Sequence, residues 1–239
     1  MKPPSLPKCL VIIVCGILPL YGATLNDSAI TTTDVQVRIE MPTNVRRDHA
    51  TAAVVWLKPT GILQLIEPPA PSRFTLLQKK RTFAPHLLVI PVGSTVSFPN
   101  GDPFFHNVFS LFNGKRFDLG LYEAGSSKDV VFPREGVSYI FCNIHPEMSA
   151  VILAVSTPYF SVGDTDRLFK LRVPEGDYEL HVWVEGMQQD SLERMIQKVH
   201  FAGGLPNSAV IDAKGSSELP SGHLNKFGHP YDKDPKPVY

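Results

Sequence analysis

The sequence predicts an all-β fold, and three observations support this. Apolar and polar residues alternate over short segments, which is the period of a half-buried strand. Proline accounts for 22 of the 239 residues, nearly twice the usual share of roughly 5%, and a proline inside a helix removes a backbone hydrogen bond. Residues 74–155 show no apolar period of the helical kind.

Short strands are predicted along most of the chain. The first alternates over residues 35–41, the second covers 52–57, and a proline-rich connector follows over 59–71. Further on, glycine-containing turns separate seven β-type runs. These runs cover residues 86–92, 94–98, 104–110, 116–122, 129–132, 137–142 and 149–155. Short strands at this spacing predict a sandwich or barrel.

A third block, from about residue 157, carries a predicted hairpin. Residues 169–173 and 178–184 alternate on either side of the turn Pro174–Asp177, and further strands are expected at 195–202 and 208–213. Because so few strands cannot bury an apolar face alone, we expect residues 34–60 and 157–212 to form one small split β-sandwich, with a domain over 72–156 inserted in it or joined to it. Residues 213–239 predict an extended C-terminal tail.

The charge balance and the N-terminus bear on partners and location. Lys plus Arg and Asp plus Glu number 23 each, so no basic excess indicates nucleic-acid binding. In residues 1–23, Lys2 and Lys8 form a basic start, an apolar run follows over 9–18, and the small residues Gly22 and Ala23 come after it, as in a signal peptide. We expect a periplasmic or secreted protein that does not span the membrane after cleavage. An uncleaved membrane anchor is the alternative.

One short string carries the chemistry. Cleavage near Ala23 leaves Cys142 as the single cysteine, which cannot form an internal disulfide. Cys142, His145 and Met148 follow the spacing C-x2-H-x2-M, and a thiolate, imidazoles and a weak axial thioether suit copper. A second histidine is then required, and His106 is the best candidate. Taken singly, the same residues could be a buried small hydrophobe, a loop residue and core filler.

The surrounding residues resemble a known family. Asn100, then His106-Asn107-Val108, then C-x2-H-x2-M resembles the cupredoxins, the blue copper proteins of the plastocyanin and amicyanin type. The stretch that includes Gln78-Lys79-Lys80 and Phe83-Ala84-Pro85-His86 is similar to exported methylamine-utilisation-like proteins. The resemblance implies a cupredoxin Greek-key β-sandwich or barrel over 72–156. Residues 165–178 resemble, more weakly, a carboxypeptidase-regulatory-like β-sandwich, which is a non-catalytic module.

The resemblance also implies roles for individual residues. One mononuclear type 1 copper would be held by His106, Cys142, His145 and Met148. Asn100, Asn107 and Pro146 would support these ligands, with the backbone N–H and the side chain of Asn107 bracing the sulfur. Phe104, Phe105 and Pro146 would form an apolar patch where a partner docks.

We therefore expect periplasmic electron transport, with an exported redox protein as electron donor or acceptor and no nucleic-acid partner. No paired carboxylates, phosphate loop or serine-nucleophile motif indicates an enzyme. The alternatives are a copper carrier or sensor and a non-catalytic β-sandwich binding module with a vestigial ligand set.

The remaining histidines and one basic run are expected to be structural. This holds for His49, His86, His181 and His200, and Lys79–Arg81 is expected to be a solvated turn. His223 and His229 could form a second metal site, but a tail that docks Phe227 and Tyr231 onto the body is favoured.

Overall fold

The fold is described from a computed structural model, and the all-β prediction is confirmed. The structure describes residues 31–41, 51–61, 67–111, 114–165, 168–204, 206–214, 225–227 and 229. The proposed signal peptide over 1–23, His49, His223 and Tyr231 lie outside the described residues. No helix in the described part of the chain is long and apolar enough to cross a membrane.

The described residues form seventeen strands and one short helix. The strands are β1 (Thr32–Glu40), β2 (Ala52–Pro59), β3 (Arg73–Thr75), β4 (Leu77–Lys79), β5 (Thr82–Ala84), β6 (Leu87–Pro91), β7 (Thr95–Pro99), β8 (His106–Ser110), β9 (Phe117–Tyr122), β10 (Ser127–Val131), β11 (Gly136–Phe141), β12 (Ser149–Val155), β13 (Phe160–Asp164), β14 (Phe169–Pro174), β15 (Gly176–Val184), β16 (Gln197–Phe201) and β17 (Asn207–Asp212). The helix is α1 (Gln189–Arg194).

Four sheets organise these strands. Sheet I has the order β14-β1-β17 and sheet II the order β13-β2-β15-β16. Each of these sheets therefore combines one of the first two strands of the chain with strands that follow β12. Sheet III has the order β6-β12-β11-β8-β9 and sheet IV the order β10-β7-β3, while β4 and β5 form a separate hairpin. The pairing of β1 with β14 and of β2 with β15 brings residues 32–37 onto residues 169–174 and residues 53–59 onto residues 178–184.

Two apolar clusters hold the sheets together. Sheets III and IV enclose one cluster, which includes Phe98 and Ile140 and also Cys142 and Met148. Sheets I and II enclose the other, to which Val151, Leu153 and Val155 of β12 contribute. The intervening β12 residues Ala150, Ile152 and Ala154 belong to the first cluster. The two sandwiches therefore pack against each other through sheet III.

Five elements were not expected from the sequence. Strands β3, β4 and β5 are three residues each, and α1 is six residues, so none is long enough for a clear apolar period. The fifth, β13, carries Phe160 and Val162 on its exposed side, which obscures the alternation of buried and exposed residues.

Candidate metal centre

Three ligand-type side chains meet at one end of the sandwich formed by sheets III and IV. His106 is the first residue of β8, and Cys142 directly follows β11, its antiparallel neighbour. His145 and Met148 lie in the loop before β12. This loop is closed by two backbone hydrogen bonds, from the Cys142 N–H to the Met148 carbonyl (3.3 Å) and from the Met148 N–H to the His145 carbonyl (3.0 Å).

The separations between the donor atoms suit a metal ion. The Nδ1 atoms of His106 and His145 are 3.1 Å apart, and Cys142 Sγ lies 3.8 Å from the first and 3.7 Å from the second. The circle through three points at these separations has a radius of about 2.1 Å, and nitrogen and sulfur ligands bind an ion such as Zn²⁺ at about 2.0–2.3 Å. One ion at the centre of this triangle would reach all three atoms at bonding distance.

The burial of these residues is graded. His106, Cys142 and Met148 are fully buried, whereas His145 is partly exposed. Met148 belongs to the same apolar cluster as Cys142, so its thioether lies in the interior of this sandwich. One imidazole edge of the cluster therefore faces the surface while the other donors are enclosed.

Burial and neighbouring dipoles act on the thiol in opposite directions. Burial raises the pKa of Cys142 above its ordinary value, and the backbone N–H groups of Asn107, Ile144 and His145 counteract part of that rise. These N–H groups favour the thiolate, which is the form of cysteine that binds a metal.

The surroundings of His145 disfavour its protonated form. Burial lowers the pKa of His145, and the nearby His106 lowers it further. A neutral imidazole is the form that can donate its lone pair to a metal. The surroundings of His145 therefore favour the form of its imidazole that can bind a metal.

A buried carboxylate fixes the other imidazole. Asp102 Oδ2 lies 2.9 Å from His106 Nε2, the nitrogen on the far side of the ring from Cys142, and both side chains are buried. The same carboxylate accepts the backbone N–H groups of Lys80 (2.6 Å) and Arg81 (2.9 Å). Burial alone would raise the pKa of Asp102, but the Arg81 N–H, His106 and the Lys80 N–H hold it below its ordinary value. Asp102 therefore orients His106 with Nδ1 toward the cluster.

The predicted supporting residues occupy the surrounding shell. Asn100 donates to the carbonyl of Phe104 (2.8 Å) and accepts the N–H of Asp102 (3.0 Å), which closes the segment leading into β8. The Asn107 side chain, expected to brace the sulfur, instead donates to Asp118 Oδ1 (2.7 Å), because Asp118 lies across the pairing of β8 with β9. Pro146 is exposed beside His145.

The predicted apolar patch is only partly exposed. Phe105 is 53% exposed, whereas Phe104 is half-buried with its ring centroid 5.2 Å from that of His106 and 5.5 Å from that of His145. The Arg81 guanidinium lies 5.4 Å from the centroid of the Phe104 ring. The basic run at residues 79–81 therefore lies beside the cluster, a position that its sequence does not indicate.

The other described histidines lie outside this cluster. His86 bonds Glu185, His200 bonds Asp177, and His181 stacks on Trp56. His106, Cys142 and His145 are the one group of possible metal ligands found among the described residues when His, Cys, Asp and Glu are considered. Asp102 and Asp118 were not among the residues predicted from the sequence. The i,i+4 spacing of Asp102 and His106 was the available signal.

Comparisons with known proteins add cupredoxin neighbours over about a third of the chain. No protein-family model and no curated protein matches the sequence. A copper-containing nitrite reductase from Thermus scotoductus is 28% identical with a TM-score of 0.33, covering 36% of this chain and 23% of its own. A purple cupredoxin from Nitrosopumilus maritimus is 28% identical with a TM-score of 0.31, covering 34% and 98%. An amicyanin from Paracoccus versutus is 23% identical with a TM-score of 0.32, covering 36% and 84%. Each of these three likenesses covers about a third of this chain, and the chain spans less than a quarter of the nitrite reductase.

Proposed function

We propose that this chain is an exported electron carrier with one type 1 copper site, formed by His106, Cys142, His145 and Met148. The observation that carries the proposal is the triangle of His106 Nδ1, His145 Nδ1 and Cys142 Sγ, whose sides are 3.1, 3.7 and 3.8 Å. Two imidazoles, one thiolate and a nearby thioether are the donor set of blue-copper electron-transfer sites. When bound, copper supplies a one-electron redox couple.

The protein contributes a rigid arrangement of donors. His106 stands on a strand and is held by Asp102, while two backbone hydrogen bonds close the loop that carries the other donors. A site fixed on strands and a short loop changes little in geometry between oxidation states, so the protein does not need to rearrange when an electron arrives or leaves.

We place electron exchange at the exposed edge of His145. His145 is partly exposed, with the ring of Phe104 against it and the exposed Pro146 next to it in the chain, and Phe105 is exposed next to Phe104. This surface would receive an exported redox protein as donor or acceptor. Residues 72–156 would be the copper domain, residues 34–60 with 157–212 a supporting β-sandwich, residues 1–23 a cleaved signal peptide, and the periplasm the site of action.

Spectroscopy of the copper-loaded protein tests this function. We expect intense visible absorption from thiolate-to-Cu(II) charge transfer and a reversible one-electron titration. His145→Ala should weaken both, whereas His200→Ala, an exposed histidine paired with Asp177, should leave both unchanged. If the copper-loaded protein shows only weak visible absorption, the site is not a blue-copper site. Intense absorption without reversible reduction would instead favour the copper carrier.

A further inference from the structure

The C-terminal segment returns to the metal centre. The backbone N–H of Lys226 donates to Asn143 Oδ1 (3.0 Å), and Asn143 is the residue directly after Cys142. The ammonium of the same lysine lies 2.9 Å from Asp118 Oδ2 on β9. One residue of the tail thus bonds both the loop that carries the donors and the strand beside β8.

The segment around Lys226 has a defined local structure. Asn225 Oδ1 accepts the N–H groups of Phe227 (2.9 Å) and His229 (3.1 Å), and the Asn225 N–H donates to the carbonyl of His229 (2.8 Å). An asparagine side chain that bonds the backbone two residues on is a common way to fix a turn. Phe227 is 70% exposed, so Lys226 anchors this segment, and not Phe227 as the sequence suggested.

Asp118 connects the tail to the buried site. Its second carboxylate oxygen accepts the side-chain amide of Asn107 (2.7 Å), which is 1% exposed. The backbone N–H of Asn107 is one of the groups that favour the Cys142 thiolate. A continuous chain of contacts therefore runs from Lys226 through Asp118 and Asn107 to Cys142.

We propose that Lys226 is a positioning residue of the metal centre, which ties the donor loop at Asn143 to β9 at Asp118. Without this tie, the loop that contains His145 and Met148 would open more often. These two contacts of Lys226, which we call the tie, do not involve copper. The proposal rests on the proposed function only for the identity of the metal.

Amide hydrogen exchange in the metal-free full chain tests the tie directly. The amides of Cys142 and Met148 close the donor loop, so their exchange rates report its opening. Lys226→Pro removes both contacts and should speed their exchange about fivefold, and Lys226→Met, which removes the ammonium alone, about twofold. Lys226→Arg should restore the wild-type rate. Lys214→Met is the matched control, because Lys214 forms a comparable exposed pair with Glu40.

The rate of copper loss to a chelator gives a second readout. It should rise in Lys226→Pro by the same factor as loop exchange and stay at the wild-type value in Lys214→Met. Unchanged exchange in Lys226→Pro, or an equal change in Lys214→Met, would overturn the role of Lys226. A chain that takes up no copper would overturn the proposed function, while the exchange rates would still decide whether the tie exists.

Discussion

Asp102 is a single buried carboxylate that supports both a local turn and His106, the proposed metal ligand. Lys80 and Arg81 both have positive φ values, 55° and 57°, at the two-residue turn between β4 and β5. Non-glycine residues rarely adopt this conformation, and here Asp102 accepts both of their N–H groups. The same carboxylate bonds His106, so the turn and the ligand are held by one group.

Neutralising Asp102 should raise the reduction potential of the copper-loaded protein. Asp102→Asn keeps the shape of the side chain but removes a negative charge that stabilises Cu(II) more than Cu(I). We expect the affinity for Cu(II) to fall about tenfold relative to the affinity for Cu(I), which raises the reduction potential by about 59 mV. A redox titration measures this change. Asp129→Asn, an exposed carboxylate paired with Arg73, should shift the potential much less. Equal shifts in the two variants would contradict a specific role for Asp102.

The two sulfur-containing residues should differ in their contributions to the site. Cys142→Ser should abolish the intense visible absorption, because the thiolate is its source. Met148→Leu should keep copper and colour but raise the potential, because a weak axial thioether mainly stabilises Cu(II). Metal analysis, absorption spectra and redox titrations test both variants. If Met148→Leu leaves the potential unchanged, Met148 is a core residue and not a ligand.

At the scale of elements, β12 is the strand that both sandwiches share. Val151, Leu153 and Val155 contribute to the cluster of sheets I and II, whereas Ala150, Ile152 and Ala154 contribute to that of sheets III and IV. A strand with two buried faces has no polar side, which accounts for the continuous apolar run at 150–155.

The contact between His86 and Glu185 joins the residue before β6 to the residue after β15. His86 Nε2 lies 2.5 Å from Glu185 Oε1. The hydrogen bond to Glu185 raises the pKa of His86 although burial lowers it, so the folded state binds the proton more tightly than the unfolded chain. The stability that this hydrogen bond contributes is therefore complete below the ordinary histidine pKa of about 6.5, and it is lost as pH rises through the pKa of His86 in the folded protein.

His86→Gln should accordingly destabilise the protein more at about pH 5.5 than at about pH 8. The difference should be below about 1 kcal/mol, because both side chains are more than a third exposed. Urea unfolding at the two pH values measures it. Glu185→Gln should show the same pH-dependent loss of unfolding free energy. The variant that carries both substitutions should show a pH-dependent loss no larger than that of either single variant. A larger effect at the higher pH would contradict the sign of this linkage.

At the scale of the whole molecule, the shared strand predicts that the two sandwiches unfold together. Both tryptophans of the chain, Trp56 and Trp183, lie in sheet II, so their fluorescence reports on one sandwich. Cys142 is fully buried in the other, so its labelling by a thiol reagent, located by mass spectrometry, reports on that one. We expect the two urea transitions to coincide.

Leu153→Ala tests this coupling. Leu153 is 1% exposed, and its truncation should cost about 2–5 kcal/mol and shift both transitions by the same amount. Leu121→Ala, at a leucine that is 54% exposed, should shift neither transition by much. If only the fluorescence transition moves in Leu153→Ala, the sandwiches unfold independently.

The sequence by itself determined the fold class and the local part of the site. Alternation indicated most of the longer strands, and the spacing of Cys142, His145 and Met148 indicated one loop with three donors. These signals are local, because strand period and loop spacing depend on residues close together in the chain. The fourth expected donor, His106, was inferred from the chemistry that the first three require.

Only the tertiary structure decided which residues surround the donors. Lys226 meets Asp118 across 108 positions and Asn143 across 83, and Asp102 meets Lys80 across 22. Such contacts depend on which strands pair and where the chain returns, and one sequence contains no periodic signal for them. The pairing of β1 with β14 and of β2 with β15 is also long-range. The sequence led us to expect that these segments combine, because neither has enough strands to bury an apolar face alone, but the partner and register of each strand depend on the tertiary structure.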